Sequence, residues 1–209
     1  MAKRARRPEA RPDEILDAAL AVFSEQGFAG ARVEDIAARA GLSKGAVYLY
    51  FDSKHEMLKA LVRRLADRVM GAAELLVSAD HRDAEQTLRN TVAFLGAQLA
   101  DPSISMAPRL IISEAQRFPE IAAFYRDTVL IRGQKLLARL IDLGVEQGTF
   151  RDVDRAVAMR CCGGAMLAHM LLSTVFCDPK NPGPSGEVIG AGIADVILHG
   201  LKKRDGASP

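Results

Sequence analysis

Residues 33–51 read VEDIAARAGLSKGAVYLYF. Val33, Ile36, Ala37 and Ala40 recur at helical spacing and give one apolar face. Gly41 interrupts that face. Ser43 is suited to cap a second, shorter helix from Lys44 to Tyr50. Two short helices joined by a glycine turn form a helix-turn-helix. The crossing requires small side chains, supplied by Ala37 and Ala40, and the turn requires a residue tolerant of positive φ, supplied by Gly41. Leu42 and Val47 close the core between the helices. In such a motif the second helix enters the DNA major groove N-terminus first. Ser43, Lys44, Gly45 and Ala46 are then the residues nearest base edges, and the small Gly45 and Ala46 let the backbone approach. Tyr48 and Tyr50 can donate hydroxyls to phosphate, and Lys54 can place a charge there. Each has a plainer reading. Gly45 as a tight helix contact, Tyr48 as half core, Glu34 as a solvated acid rather than a groove contact, and Lys54 as a lysine at a helix start are the alternatives.

Working outward, Ile15, Leu16, Ala19, Leu20 and Phe23 mark an amphipathic helix that opens at Pro12-Asp13 and ends at Gly27. After Asp52-Ser53 a long helix carries Leu58, Leu61, Leu65, Val69, Ala72 and Leu76 as one stripe. Further helices are expected over 84–99, 104–117, 120–147, 152–176 and 187–203, separated by Asp101-Pro102, Phe118-Pro119, Gly148 and the loop DPKNPGPSG. No segment alternates with period two. The predicted class is all-α with about nine helices. The expected organisation is a basic flexible arm over 1–12, a three-helix DNA-binding domain over 13–59, a larger ligand-binding and dimerisation domain over 60–203, and a disordered tail over 204–209.

Residues 13–60 resemble the N-terminal domain of the TetR family. The elements are a first helix with central Phe23, then Gly27-Phe28, V-x-D-I-A from Val33, A-G-x-S-x-G-x-x-Y-x-Y-F ending at Phe51, and Lys54 before Met57-Leu58. The resemblance implies a transcriptional regulator whose Lys44, Gly45 and Tyr48 lie at the recognition surface, with Tyr50 and Lys54 on phosphates. One departure stands out. The family commonly has Thr before V-x-D-I-A, capping that helix and touching a phosphate, and this chain has Arg32. The cap is therefore weaker, and Arg32 offers a charged phosphate contact instead.

Charge distribution fits that reading. The whole chain carries only +2. Residues 1–12 hold five basic side chains against Glu9, a local +4, and residues 1–64 hold 12 basic against 9 acidic. A basic end suits an approach to phosphates, although a solvated tail carries the same charge. Cys161, Cys162 and Cys177 give no disulfide framework, and their apolar surroundings suggest reduced thiols in a cytoplasmic protein, nucleoid-associated when on DNA. No signal peptide is read at the N-terminus. The uncharged stretch CCGGAMLAHMLLSTVFC is read as a buried helix rather than a membrane span. No metal and no cofactor are expected, because Cys161-Cys162 lacks C-x-x-C ligand spacing even with His169 nearby in sequence.

The C-terminal stretches RLIISEAQRFPEIAAFYRD and GVEQGTFRDVD resemble the AefR-like class. In the TetR family this region binds a ligand and dimerises. Small residues on the last two helices (Gly163, Gly164, Ala165, Ala168, Gly190, Ala191, Gly192, Ala194) permit close helix approach. The expected homodimer interface comprises Gly163, Gly164, Leu167, Ile189, Ile193, Val196 and Ile197; an ordinary helix pair within one chain is the alternative. Candidate ligand-lining residues are Phe94, Leu110, Glu114, Arg117, Phe118, Phe124, Met166, His169 and Met170, each of which also suits a core. Their apolar majority points to an unidentified small organic ligand, mostly hydrophobic.

The sequence has no G-x-S-x-G, no glycine-rich phosphate loop and no H-E-x-x-H, so no catalytic residues are assigned. The expected function is a repressor released from a palindromic double-stranded DNA operator by its ligand. The alternative is a nucleoid-associated or division-coupled DNA-binding protein on the same fold, without an inducer. Deleting residues 1–11 is expected to flatten the salt dependence of DNA binding. Each phosphate that the arm no longer neutralises takes about 0.9 off the log–log slope. An unchanged slope would make the arm a bystander.

Overall fold

The computed structural model describes residues 11–79, 83–178, 180–181 and 183–203. Most of the basic arm, the 204–209 tail and His81 lie outside the described residues. The described chain is helical: α1 (Arg11–Gly30), α2 (Val33–Arg39), α3 (Lys44–Tyr48), α4 (Lys54–Ala79), α5 (Ala84–Gln98), α6 (Pro102–Glu114), α7 (Pro119–Tyr125), a π-helical segment (Arg126–Leu130), α8 (Ile131–Glu146), α9 (Arg155–Thr174) and α10 (Gly186–Leu201). From α7 through α8 the chain is helical without a break, so the described residues form nine continuous helices, as the sequence predicts. Only isolated bridges, such as Phe150 with Lys202, occur in place of strands among them.

Helix boundaries follow local chemistry. Gly27 takes φ 69° inside α1 and separates a main helix from a last turn. Asp83, Asp154 and Ser185 cap α5, α9 and α10, each accepting from the backbone N–H three residues on. The π-helical segment has no sequence signature; the pattern predicts an unbroken α-helix there.

Contacts divide the chain into two compact units. The first contains residues up to Leu65 together with Met106–Tyr125, and the second contains Ala66–Ser105 with the rest from Arg126. The first half of α4 and the α6–α7 joint therefore group with the helix-turn-helix. In this unit Ile15, Ala19, Phe23, Ile36, Val47, Met57, Leu58 and Leu61 are fully buried. Arg64 ties α4 to α1 through Asp17 at 2.7 Å.

The second unit is centred on α5, α8 and α10, with Leu88, Val92, Leu140, Ile141, Phe150, Ala194 and Leu198 in its core. Its tightest contact is between backbones. A Cβ on Gly96 of α5 would stand 2.4 Å from the Gly190 Cα of α10. Phe150 fits against Gly144 in the same way, because a Cβ there would stand 2.0 Å from the ring. Arg132 forks onto Glu74 at 3.1 Å and reaches Asp67 at 2.6 Å.

Two sequence expectations meet the structure here. For Gly190 the alternative reading, an ordinary helix pair within one chain, is the one seen, because it packs on Gly96 of α5; Ala194 is buried in the same core, and Ile193 and Ile197 are half-buried against it. The spacing of small residues marks a close approach without saying which helix makes it. Second, α9 is not a buried helix. Only Ala158, Cys162 and Met170 are buried on it. By length and composition α9 would suffice to cross a membrane, yet it is packed in this unit with its remaining face uncovered.

Gly96→Ala should lower stability by about 1–3 kcal/mol, the usual cost of overpacking. The drop in Tm should be about 2–4 °C per kcal/mol. Gly71→Ala, which has nothing within 4 Å of the added Cβ, is the control and should leave Tm unchanged or raised. Equal melting of the two variants would contradict the α5–α10 packing.

Candidate functional site

The candidate recognition surface is built on two helices of seven and five residues. Burial of Val33, Ile36, Ala37 and Val47 fixes their inner faces. Gly41 adopts φ 67°, the left-handed conformation the turn demands. The Ser43 hydroxyl accepts from the Ala46 N–H at 3.1 Å and starts α3. Arg32 occupies the N-cap of α2 and makes no side-chain cap bond, consistent with the weak cap expected of Arg in place of Thr. Its side chain is exposed. Arg39 grips Glu25 with two bonds of 2.7 and 2.8 Å, holding α2 to α1.

On the outer face Ser43, Lys44, Gly45, Tyr48 and Tyr50 are exposed, and Ala46 is half-buried. A Cβ on Gly45 would meet nothing within 4 Å. Gly45 is therefore no tight helix contact; it leaves the surface of α3 open. Helix α3 ends at Tyr48, earlier than expected, so Tyr50 sits in the following turn. Leu49, which sequence reasoning passed over, is 83% exposed. An apolar residue among polar ones in the recognition segment is the signal that singles it out.

Lys44 is paired. Its ammonium lies 2.6 Å from Glu34 on α2 and 5.8 Å from the Tyr48 ring centroid. The lysine hydrogen bond, and next the backbone amide of Glu34, hold the Glu34 carboxyl below its ordinary range. Glu34 in turn raises the Lys44 ammonium. Both groups are charged at neutral pH.

Lys54 differs from the expectation. Its ammonium donates to the backbone carbonyls of Phe28 at 2.5 Å and Ala31 at 2.9 Å, and lies 4.5 Å from the Phe28 ring centroid. Burial lowers its pKa, opposed by the charge of Glu114. The lysine joins the start of α4 to the C-terminal end of α1, where orphan carbonyls attract a cation. Sequence spacing hid this, because the acceptors lie more than twenty residues upstream.

The ligand candidates divide between the two units. Leu110, Glu114, Arg117, Phe118 and Phe124 belong to the first, where Leu110 and Glu114 are buried. Phe118 stacks edge-on with His55 at 4.2 Å, and Arg63 covers Phe124 at 5.3 Å. The Nε2 of His55 is buried without a partner. Phe94, Met166, His169 and Met170 belong to the second unit, where Met170 is buried and the others half-buried. The second unit also carries an open groove of about 500 Å³ lined by Val77, Lys135, Ala138, Arg139, Asp142, Leu143 and Glu146. None of the candidates lines it. Among the described residues no cluster of three potential metal ligands occurs. Burial pushes the Cys162 thiol up to about 11, which makes it a poor thiolate at neutral pH.

Of the expected dimer residues, Leu167 is 43% and Val196 71% exposed. Gly164 is exposed, and Gly163 and Ile189 are half-buried. Val157, Leu172, Val175 and Phe176 extend the uncovered apolar face of α9 and its C-terminal end, and Val188 extends that of α10.

Comparison with known proteins defines the class. Residues 15–61 match the family model "Bacterial regulatory proteins, tetR family", and residues 78–179 match "Tetracyclin repressor-like, C-terminal domain". The chain is 31% identical over 197 residues, 91% of each chain, to the HTH-type transcriptional repressor KstR2 of Rhodococcus jostii. Among solved structures, the fatty acid degradation regulator FadR from Bacillus halodurans has a TM-score of 0.79 at 25% identity, covering 96% of this chain and 100% of that one. FadR from Bacillus subtilis, in complex with stearoyl-CoA, has a TM-score of 0.75 at 19% identity, covering 90% and 98%. The chain belongs to the tetR family of bacterial regulatory proteins. It is a DNA-binding transcriptional regulator and not an enzyme.

Lys54→Ala should weaken binding to all DNA sequences and lower the melting temperature, while the log–log salt slope stays constant. A slope reduced by about 0.9 with unchanged melting would mean a phosphate contact instead.

Proposed function

We propose that this chain is a repressor that binds a palindromic operator as a homodimer and is released by a small, mostly apolar organic ligand. The observation that carries the DNA-binding half is the exposed, unobstructed face of α3, with Ser43, Lys44, Gly45 and Tyr48 together on it. Ser43, Lys44, Gly45 and Ala46 approach base edges. Arg32, Tyr48 and Tyr50 contact phosphates. Lys54 acts one step back, by fixing α1 to α4.

One five-residue helix reads too few base pairs for a specific site, and two-fold symmetry doubles it. The uncovered apolar face of α9 and α10 supports dimerisation, with Gly164, Leu167 and Val196 on the seam. Gly163 and Ile189 flank it, while Ile193 and Ile197 support it from the core side. The apolar majority among Phe94, Leu110, Phe118, Phe124, Met166 and Met170 favours a hydrophobic effector, and FadR from Bacillus subtilis, which shares the fold, forms a complex with stearoyl-CoA, whose acyl chain is apolar. Glu114, Arg117 and His169 are the polar groups available to orient it. Ligand binding shifts the dimer toward a state whose recognition helices no longer match half-sites about 34–36 Å apart. The protein acts in the bacterial cytoplasm, at the nucleoid when bound.

Lys44→Ala and Tyr48→Ala should each weaken operator binding by roughly tenfold, the scale of a single mismatched base pair, with unchanged circular dichroism. Leu167→Glu with Val196→Glu should convert a dimer to a monomer in sedimentation and abolish specific binding. A variant that remains dimeric would move the interface off this face.

A further inference from the structure

We propose that Glu34 and Lys44 act together as a reader of one G·C base pair in each half-site, with Lys44 on guanine O6 and N7 and Glu34 on the cytosine N4 amine. The inference rests on the DNA-binding reading of α3 and adds a residue from α2 to it.

The geometry is specific. Lys44 is the first residue of α3 and Glu34 lies in the first turn of α2. Their charged atoms are 2.6 Å apart, with side chains 51% and 56% exposed. A carboxylate so close to DNA is repelled by phosphates, so a solvated acid there opposes binding. The pairing removes that objection, because the two groups approach the groove as a neutral unit. Neither is used up. An ammonium has three donors and needs one for Glu34, which leaves two for guanine; a carboxylate has about four acceptor sites, and this one gives one to Lys44 and one to its own backbone amide.

The base-pair edge supplies the complement. In the major groove G·C presents two adjacent acceptors, N7 and O6, followed by the N4 donor. O6 and N4 are themselves hydrogen-bonded, about 2.9–3.0 Å apart, so a donor and an acceptor 2.6 Å apart meet them side by side. A·T presents acceptor, donor, acceptor and then a methyl group. There the ammonium would confront the N6 donor, and the carboxylate would confront thymine O4. The pair therefore discriminates by repulsion as well as attraction. The ion pair also fixes two flexible side chains before DNA arrives, which lowers the ordering cost of the contact.

The test is selection from randomised duplex DNA with the full-length protein, its Glu34→Gln variant and its Lys44→Gln variant, followed by sequencing. Wild type should enrich a two-fold symmetric motif with a G·C pair at one position of each half-site. Glu34→Gln should reduce discrimination at that position by roughly tenfold, the scale of one mismatched pair. It should keep its preferences elsewhere and bind random DNA more tightly, because a negative charge has been removed. Lys44→Gln should relax the same position. Identical motifs with identical weights for wild type and Glu34→Gln would overturn the inference while leaving the DNA-binding reading intact. If wild type enriches no motif, that reading falls and Glu34 with it.

Discussion

Helices of seven and five residues do not persist in water on their own hydrogen bonds; isolated helices below about 12–15 residues are marginal. Every feature of the recognition surface depends on overcoming that constraint. Burial of Ile36, Ala37 and Val47 supplies the inner anchor, and Gly41 and Ser43 set the angle between α2 and α3. Lys54 adds an electrostatic tie, because its ammonium draws the carbonyls of Phe28, Ala29 and Ala31, at the end of α1, toward the start of α4. The outer face is then free of packing duty. Nothing packs on Gly45 there, so a poor helix former costs no core contact.

The second unit solves the opposite problem. Its helices are long; Gly96 and Gly190 bring α5 and α10 to backbone contact, and one side of α9 and of α10 is uncovered. An apolar helix with one face uncovered, as α9 has at Val157, Leu167 and Leu172, favours association in water.

Much of this was legible in the sequence where the determinant is local. The Gly41 turn, the Ser43 cap, the weak Arg32 cap and the apolar stripe of α4 each depend on residues within a turn or two of one another. Determinants that act across the chain were not legible. Lys54 reads as a phosphate contact until its acceptors at Phe28 and Ala31 are seen. Gly190 reads as a site of close helix approach, and only the structure shows that its partner is Gly96 of the same chain. Glu34 is exposed, as its solvated reading has it, and only the structure shows Lys44 paired with it. The ligand candidates remain the least resolved by sequence, because an apolar residue lining a cavity and one filling a core have the same chemistry. Here Phe118 and Phe124 prove to be engaged with His55 and Arg63.

The most direct measurement is affinity selection of genomic DNA by the purified protein, with sequencing of the bound fragments. One or a few enriched palindromes beside genes would be the result of a dimer reading an operator through α3. Hundreds of dispersed sites without two-fold symmetry, or no enrichment at low salt, would contradict it.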